Sequence, residues 1–290
     1  MSRMVLRRRG IRLGSQVPTS VTWSLLLWAV VAVVAVPLLW AILTSFKPDS
    51  ETQRYPPTIL PETFTFQNYF ELFRVLPFGT FYLNTIEVAA LTSLLTIALS
   101  SMAAYSMARF RNLWTEAAGF FGLAAYMVPA ILIVVPVFRI AYGIGAIDSL
   151  LALVTLYAAF FLPLAIWQLR AYFAGIPPDI EEAAMTDGAT RFEAFYLVIL
   201  PQALPGLIAT GILCFAVVWN EYLFSSLLLV TPAKQTLSAG LSHVLIGKYD
   251  VYSWGALMAA CVLMTLPLVL VFTVVQRQLV AGLSSGSVKG

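Results

Sequence analysis

Six long apolar segments are separated by more polar connections: Trp23 to Phe46, Leu83 to Ala108, Ala117 to Phe138, Leu150 to Leu169, Leu204 to Leu229 and Val251 to Val275. A helix of about 20 apolar residues crosses the hydrocarbon core of a bilayer, so each segment is long enough to span it. Only Glu87 and Glu221 carry charge inside them. The short alternating strands of a barrel are absent, and lipid offers no partner to an unpaired backbone group, so helices are the predicted form. Pro129, Pro136, Pro163 and Pro267 fall inside spans, where neighbouring helices tolerate kinks. No internal repeat is visible, so two-fold symmetry has to come from a second chain.

Composition agrees with this pattern. The chain is 60% hydrophobic and 11% charged over 290 residues, against about 45–50% and 25% for soluble proteins. Arg3, Arg7, Arg8, Arg9 and Arg12 precede the first apolar run, an arrangement shared with secretory signals. A signal's apolar region is about 7–15 residues long and ends in a small-residue cleavage site. Here Gly14 to Phe46 is free of charge and no clear A-x-A site closes it, so the run reads as a retained first transmembrane helix.

Basic residues set the expected orientation. With the N-terminus inside, the cytoplasmic segments hold those five arginines with Arg109, Arg111, Arg170, Arg191, Arg277 and Lys289. Lys47, Arg54, Arg74, Arg139, Lys234 and Lys248 are spread over the longer outer loops. The expected architecture is an all-α integral membrane protein with six transmembrane helices and both termini cytoplasmic. Its parts are a basic tail (1–20), a first helix (21–46), an external loop (47–80), a five-helix core (81–276) and a C-terminal tail (277–290). Prolines and clustered Phe and Tyr predict that the external loop is packed.

Candidate chemistry is sparse. Cys214 and Cys261 sit inside apolar runs without C-x-x-C spacing and read as small buried hydrophobes. His243 is the only histidine, which leaves little for a zinc or haem site. A phosphate-cradling loop needs G-x-x-x-x-G-K-[ST]. The only Gly-Lys pair that approaches it, Gly247-Lys248, is followed by Tyr249 and has Ser242 where the first glycine should stand. No catalytic residue, cofactor site or metal site is assigned, and any nucleotide chemistry belongs to a partner.

The least membrane-like stretch of the second half runs from Ile176 to Leu207, IPPDIEEAAMTDGATRFEAFYLVILPQALPGL. Pro177 and Pro178 block continuation of the fourth span. Asp179 is expected to cap a short helix, with Glu182 completing a capping box. Gly188 suits the left-handed residue that ends it. A second short helix around Arg191 to Leu197 follows, before Pro201 and Pro205 break the chain. The result is a helix–turn–helix on the cytoplasmic face, with Ala183 and Ala184 as a close-approach surface.

This stretch resembles the EAA loop of ABC importer permeases: E-A-A, three residues, Gly, nine residues, Ile, one residue, Leu-Pro. Glu182, Ala183, Ala184, Gly188, Leu200 and Pro201 fall in register, and Val198 replaces the Ile. SFKP after the first span, AAYSMARF closing the second, WNEYL in the fifth and the terminal QRQLVAGLSSGSVKG resemble the sugar-importer branch, in particular the second permease of maltose-type and trehalose-type systems. The resemblance implies a type I importer permease in a bacterial inner membrane. It further implies a homologous second permease, two ATP-binding subunits that hold ATP and Mg, an external solute-binding protein, and a carbohydrate substrate, with no nucleic acid. In such proteins the EAA loop, here the 170–203 segment, is the coupling element. Glu182, Ala183, Ala184, Asp187, Gly188, Leu200 and Pro201 then face the ATPase, and Glu182 meets a basic residue there. The tail from Ser284 to Gly290 is expected to reach the ATPase as well.

A charge inside a span is a functional candidate by default. Glu221, beside Trp219 and Asn220, either lines the translocation path or is a structural carboxylate bonded to the second permease. Glu87, close to Asn84, reads as a structural anchor. A secondary transporter would work alone with intramembrane ion-coupling groups, and a channel would need no coupling loop. A permease for a non-sugar solute such as glycerol phosphate, an amino acid or a peptide would share the loop.

Overall fold

The computed structural model describes the backbone of residues 21–245 and 253–286 and the side-chain environments of 23–242 and 253–276. The arginines of the N-terminal tail, Lys248, the first residues of the predicted sixth span and Lys289 lie outside the described residues, as do the side chains of the C-terminal tail. Every regular element among the described residues is helical. In chain order they are α1 (Val21–Ser45), α2 (Asp49–Thr52), α3 (Gln67–Val75), α4 (Phe78–Arg109), α5 (Leu113–Tyr126), α6 (Ala130–Gly143) and α7 (Leu150–Gly175). There follow α8 (Pro178–Thr186), α9 (Arg191–Glu193), a π-helical turn (Ala194–Ile199), α10 (Leu200–Gln202), α11 (Leu204–Trp219), α12 (Leu223–Leu228), a 3-10 turn (Pro232–Lys234), α13 (Leu237–Leu245) and α14 (Trp254–Gly286).

Four of these helices cross a membrane by length and composition: α1, α4, α7 and α14. The other two predicted spans are broken. Between α5 and α6 the chain bends by 96°. Pro129 is the N-cap of α6; proline has no N–H to continue the ladder and pushes the residue before it out of the helical region. The predicted fifth span divides into α11 and α12, with Asn220 to Tyr222 as the break. A 73° bend separates the segment ending at Gln202 from α11. Pro205, in the first turn of α11, cannot bond back to Pro201. Pro201 itself does not end its segment: helical backbone runs without a gap from Arg191 to Gln202, with the π turn at Ala194–Ile199 just before it.

α4 is the central strut, packed along α7 and α11. Its buried stripe is Ala89, Ser93, Thr96, Ser100, Ala104 and Ala108, small residues at helical spacing that let backbones approach in lipid. Gly211 on α11 packs against α4 beside this stripe: a Cβ there would stand 2.5 Å from Ile97 Cδ1. One end of α4 is sealed by Phe78 and Phe81 against Trp219, Leu237 and Leu241. The other is sealed by Tyr105 and Ala108 against Phe173, Phe195, Ile199 and Leu207. At about 1.5 Å per residue, the 32 residues of α4 separate these ends by roughly 48 Å.

The 47–80 loop is packed. Buried Asn68 donates to the carbonyls of Ser45 (2.8 Å) and Lys47 (2.7 Å), and Phe46 meets Phe66 and Tyr69 at centroid distances of 5.3 and 5.5 Å. Buried Lys47 donates to the Thr58 carbonyl.

Candidate functional site

α8 projects from the Arg109 end of the bundle. Pro177 is its N-cap, with extended backbone and no side-chain cap. The predicted Asp179–Glu182 capping box does not form, because Pro178 already occupies the first helical position and Asp179 falls within the first turn. Asp179 and Glu181 there still complement the positive helix end.

The helix closes with two bonds. Gly188 N–H reaches the Met185 carbonyl at 3.1 Å, and Ala189 N–H reaches the Ala184 carbonyl at 3.1 Å. This is the Schellman pattern, and it needs a left-handed residue at the turn. Gly188 supplies it with φ of 99°. A capping box does form in the next arm. Thr190 Oγ accepts from Glu193 N–H at 3.3 Å, and Glu193 Oε2 accepts from Thr190 N–H at 2.7 Å. The second arm then continues through the π turn into α10, longer than the Arg191–Leu197 helix the sequence predicts.

Glu182, Ala183, Asp187 and Gly188 are exposed, and Ala184 is half-buried. They form a continuous acidic and small-residue surface with Met185, 37% exposed. Leu200 is half-buried and Pro201 exposed, both in α10, apart from that surface in the chain.

Sequence reasoning missed Glu181. It is 4% exposed and is the one buried side chain of α8. Its Oε2 accepts from Arg109 Nε at 2.9 Å and its Oε1 from Tyr105 Oη at 2.5 Å. Arg191 Nη1 lies 3.9 Å away, its guanidinium 5.1 Å over the Phe110 ring. Arg109 also donates through Nη1 to the carbonyls of Ile176 (3.2 Å) and Phe173 (3.4 Å) at the end of α7. The available signal was Tyr105 and Arg109 one turn apart within AAYSMARF, but nothing in the sequence joins them to a carboxylate 72 residues away.

At the opposite end, Trp219 is fully buried. Its Nε1 donates to the Met264 carbonyl at 3.1 Å, and its ring stacks on Phe215 at 5.6 Å. It offers no surface to a path in this conformation. Asn220 is exposed and donates to the Ala216 carbonyl at 2.8 Å. Glu221 is half-buried and accepts from the N–H groups of Phe224 (2.9 Å) and Ser225 (3.2 Å) and from the Tyr157 hydroxyl. Both carboxylate oxygens are thus engaged within the chain, at the start of α12. Glu87 is exposed and has no side-chain partner among the described residues. Asn84 does not anchor it: that amide donates instead to the Ala233 and Gln235 carbonyls, both at 3.0 Å.

Residues 96–285 match the binding-protein-dependent transport system inner membrane component family. This chain belongs to that family. It is therefore an inner-membrane, multi-pass ABC permease. It is 36% identical over 272 residues to the trehalose transport system permease protein SugB of Mycobacterium tuberculosis, covering 92% of this chain and 97% of the relative. It is 33% identical over 256 residues to the trehalose/maltose transport system permease protein MalG of Thermococcus litoralis, covering 88% and 91%. A chain from the crystal structure of a bacterial ABC transporter that imports the acidic polysaccharide alginate superposes with a TM-score of 0.74, covering 88% of this permease and 94% of that chain. At 22% identity that likeness speaks for the fold alone.

Proposed function

We propose that this permease forms half of the translocation pathway of an ATP-driven importer for a carbohydrate of two or more sugar units. A homologous second permease forms the other half, and an external binding protein delivers the sugar. ATP and Mg are held by two partner ATPase subunits, which dock on α8 through Glu182, Ala183, Ala184, Asp187 and Gly188. Both termini lie on the ATPase side, together with Arg109, Arg111, Arg170 and Arg191. Relatives named for trehalose, maltose and diacetylchitobiose support the sugar class.

The observation that carries this reading is α8 itself. It is a nine-residue helix, capped by glycine and anchored from behind, with its acidic face left open at the end where basic residues collect. Opposite charges across an interface steer docking and fix its register, so a basic groove on the ATPase fits this surface.

Reconstitution tests it. The permease, copurified with its partners and placed in liposomes, is expected to take up trehalose or maltose only with ATP and the sugar-loaded binding protein. ATP-independent uptake by the purified chain alone would overturn the assignment.

A further inference from the structure

α8 is short, and a helix of nine residues has little stability of its own in water. Something must fix its position against the bundle. Apolar packing contributes modestly, since Ile180 and Ala184 are only half-buried. The buried attachment is the Glu181 carboxylate, gripped by Arg109 and Tyr105 of α4. Directional, charge-assisted bonds of this kind resist rotation and sliding in a way that apolar contact does not.

Arg109 extends the grip. The same guanidinium holds the Phe173 and Ile176 carbonyls where α7 ends, immediately before Pro177 starts the turn into α8. One cation therefore registers α8 against both α4 and α7. Tyr105 is wedged between the Phe195 ring (4.6 Å) and the Phe173 ring (6.0 Å), which holds its hydroxyl on target and ties in the second arm. From this junction α4 runs to the far end of the bundle, where Asn84 bonds the Ala233–Gln235 loop.

The geometry points to Glu181 as a positioning residue that fastens the docking helix to α4, so that displacement of α8 is delivered along α4 instead of being absorbed in the loop. This rests on the reading of α8 as the ATPase-docking element. The work is divided between neighbours: Glu182 meets the ATPase, and Glu181 transmits what the ATPase does.

The test uses the full complex in liposomes, with wild type, Glu181→Gln, Glu181→Asp and Glu182→Lys compared. Glu181→Gln is expected to keep the ATPase subunit in the purified complex. Stimulation of ATP hydrolysis by trehalose- or maltose-loaded binding protein, and sugar uptake, fall about tenfold. Glu181→Asp, which retains the charge, recovers part of both. Glu182→Lys behaves differently and loses the ATPase subunit. Wild-type stimulation in Glu181→Gln overturns the proposal, and so does loss of the ATPase subunit from it, which would make Glu181 a docking residue. If Glu181→Gln does not accumulate in membranes, Tyr105→Phe decides, because it deletes one hydrogen bond and leaves the ion pair. A severalfold fall in stimulated uptake supports the latch, and wild-type uptake overturns it. A wild-type complex without any ATPase subunit would instead sink the docking reading on which this rests.

Discussion

Glu181 and Glu182 are adjacent in the chain, yet Glu181 is 4% exposed and bonded to Arg109 at 2.9 Å, while Glu182 stands open to its surroundings. Successive helical residues point about 100° apart, so one turn of α8 carries an anchor on its inner side and a charge on its outer side. The short helix can then be held firmly and still present an acidic surface. The same separation lets mutagenesis address attachment and docking independently.

Docking is tested first at Gly188 and Glu182. Valine at position 188 has to adopt φ near the observed 99°, which an L side chain tolerates poorly. The expected cost is about 1–2 kcal/mol, concentrated at the end of α8. Glu182→Lys would place like charge against the basic groove proposed for the ATPase, and a basic-to-acidic change in the ATPase should recover part of the loss. Both variants should reach the membrane at near-normal levels while sugar uptake falls sharply. Unchanged uptake in both would mean that this surface does not dock the ATPase.

The break between α11 and α12 depends on Glu221. Removing its carboxylate leaves the buried N–H groups of Phe224 and Ser225 and the Tyr157 hydroxyl without their acceptor. Glu221→Ala is expected to destabilise the purified permease by about 2–4 kcal/mol, and Glu221→Gln, which keeps an acceptor oxygen, by less. Heat-induced aggregation in detergent measures this. Equal melting of Glu221→Ala and wild type would show that the carboxylate acts elsewhere, on substrate or on the second permease.

Much of the membrane architecture was legible because hydropathy over about 20 residues is a strong signal. Helices α1, α4 and α7 lie close to their predicted positions; α14 covers the predicted sixth span but continues to Gly286, into the stretch read as a C-terminal tail. What hydropathy cannot see is a bend: α5 with α6 is as apolar as a straight span, and Pro129, at the turn, is the one local clue. The glycine that ends α8 was readable, since a left-handed turn has few alternatives to glycine. The start of α8 was misread because Asp179 looks like a cap until Pro177 takes that position. Glu181 was invisible for a different reason. Its partners are 72 and 76 residues away, and only folding brings them together.

Acid should loosen the packed 47–80 loop. The Glu51 carboxyl lies below its ordinary range, chiefly through the hydrogen bond from Thr58, with the Glu62 amide and the Lys47 charge adding to this against an opposing effect of burial. A carboxylate whose folded pKa is depressed stabilises the fold above its unfolded value, about 4.3, and that contribution is lost as pH falls through the folded value. Protection from hydrogen exchange across residues 49–66, taken relative to the intrinsic amide rate at each pH, should therefore be high at pH 7 and fall below about pH 4. Glu51→Gln should exchange faster at pH 7 and lose the acid step. An acid step of wild-type size in Glu51→Gln would assign the effect to another group.

Asn84 and Glu87 lie one turn apart on α4 and should respond to substitution in opposite ways. Asn84 is 9% exposed and donates to two carbonyls of the 233–235 loop. Replacing it with leucine removes both hydrogen bonds, at a cost of about 1–3 kcal/mol each. Glu87 has no hydrogen-bond or ion-pair partner among the described residues of this chain, so Glu87→Leu removes no polar interaction and should leave the melting temperature of the isolated permease unchanged. A carboxylate on a membrane helix costs about 2.5–3.5 kcal/mol at the bilayer centre and is retained where it faces protein or water. The face of α4 that carries Glu87 is therefore expected to meet the second permease or the water-filled path, and Glu87→Leu should lower sugar uptake by the assembled importer. The pair of measurements separates the roles: Asn84→Leu lowers thermal stability, and Glu87→Leu lowers transport alone. Loss of stability in isolated Glu87→Leu, or full uptake by the complex that contains it, would return Glu87 to an ordinary surface position.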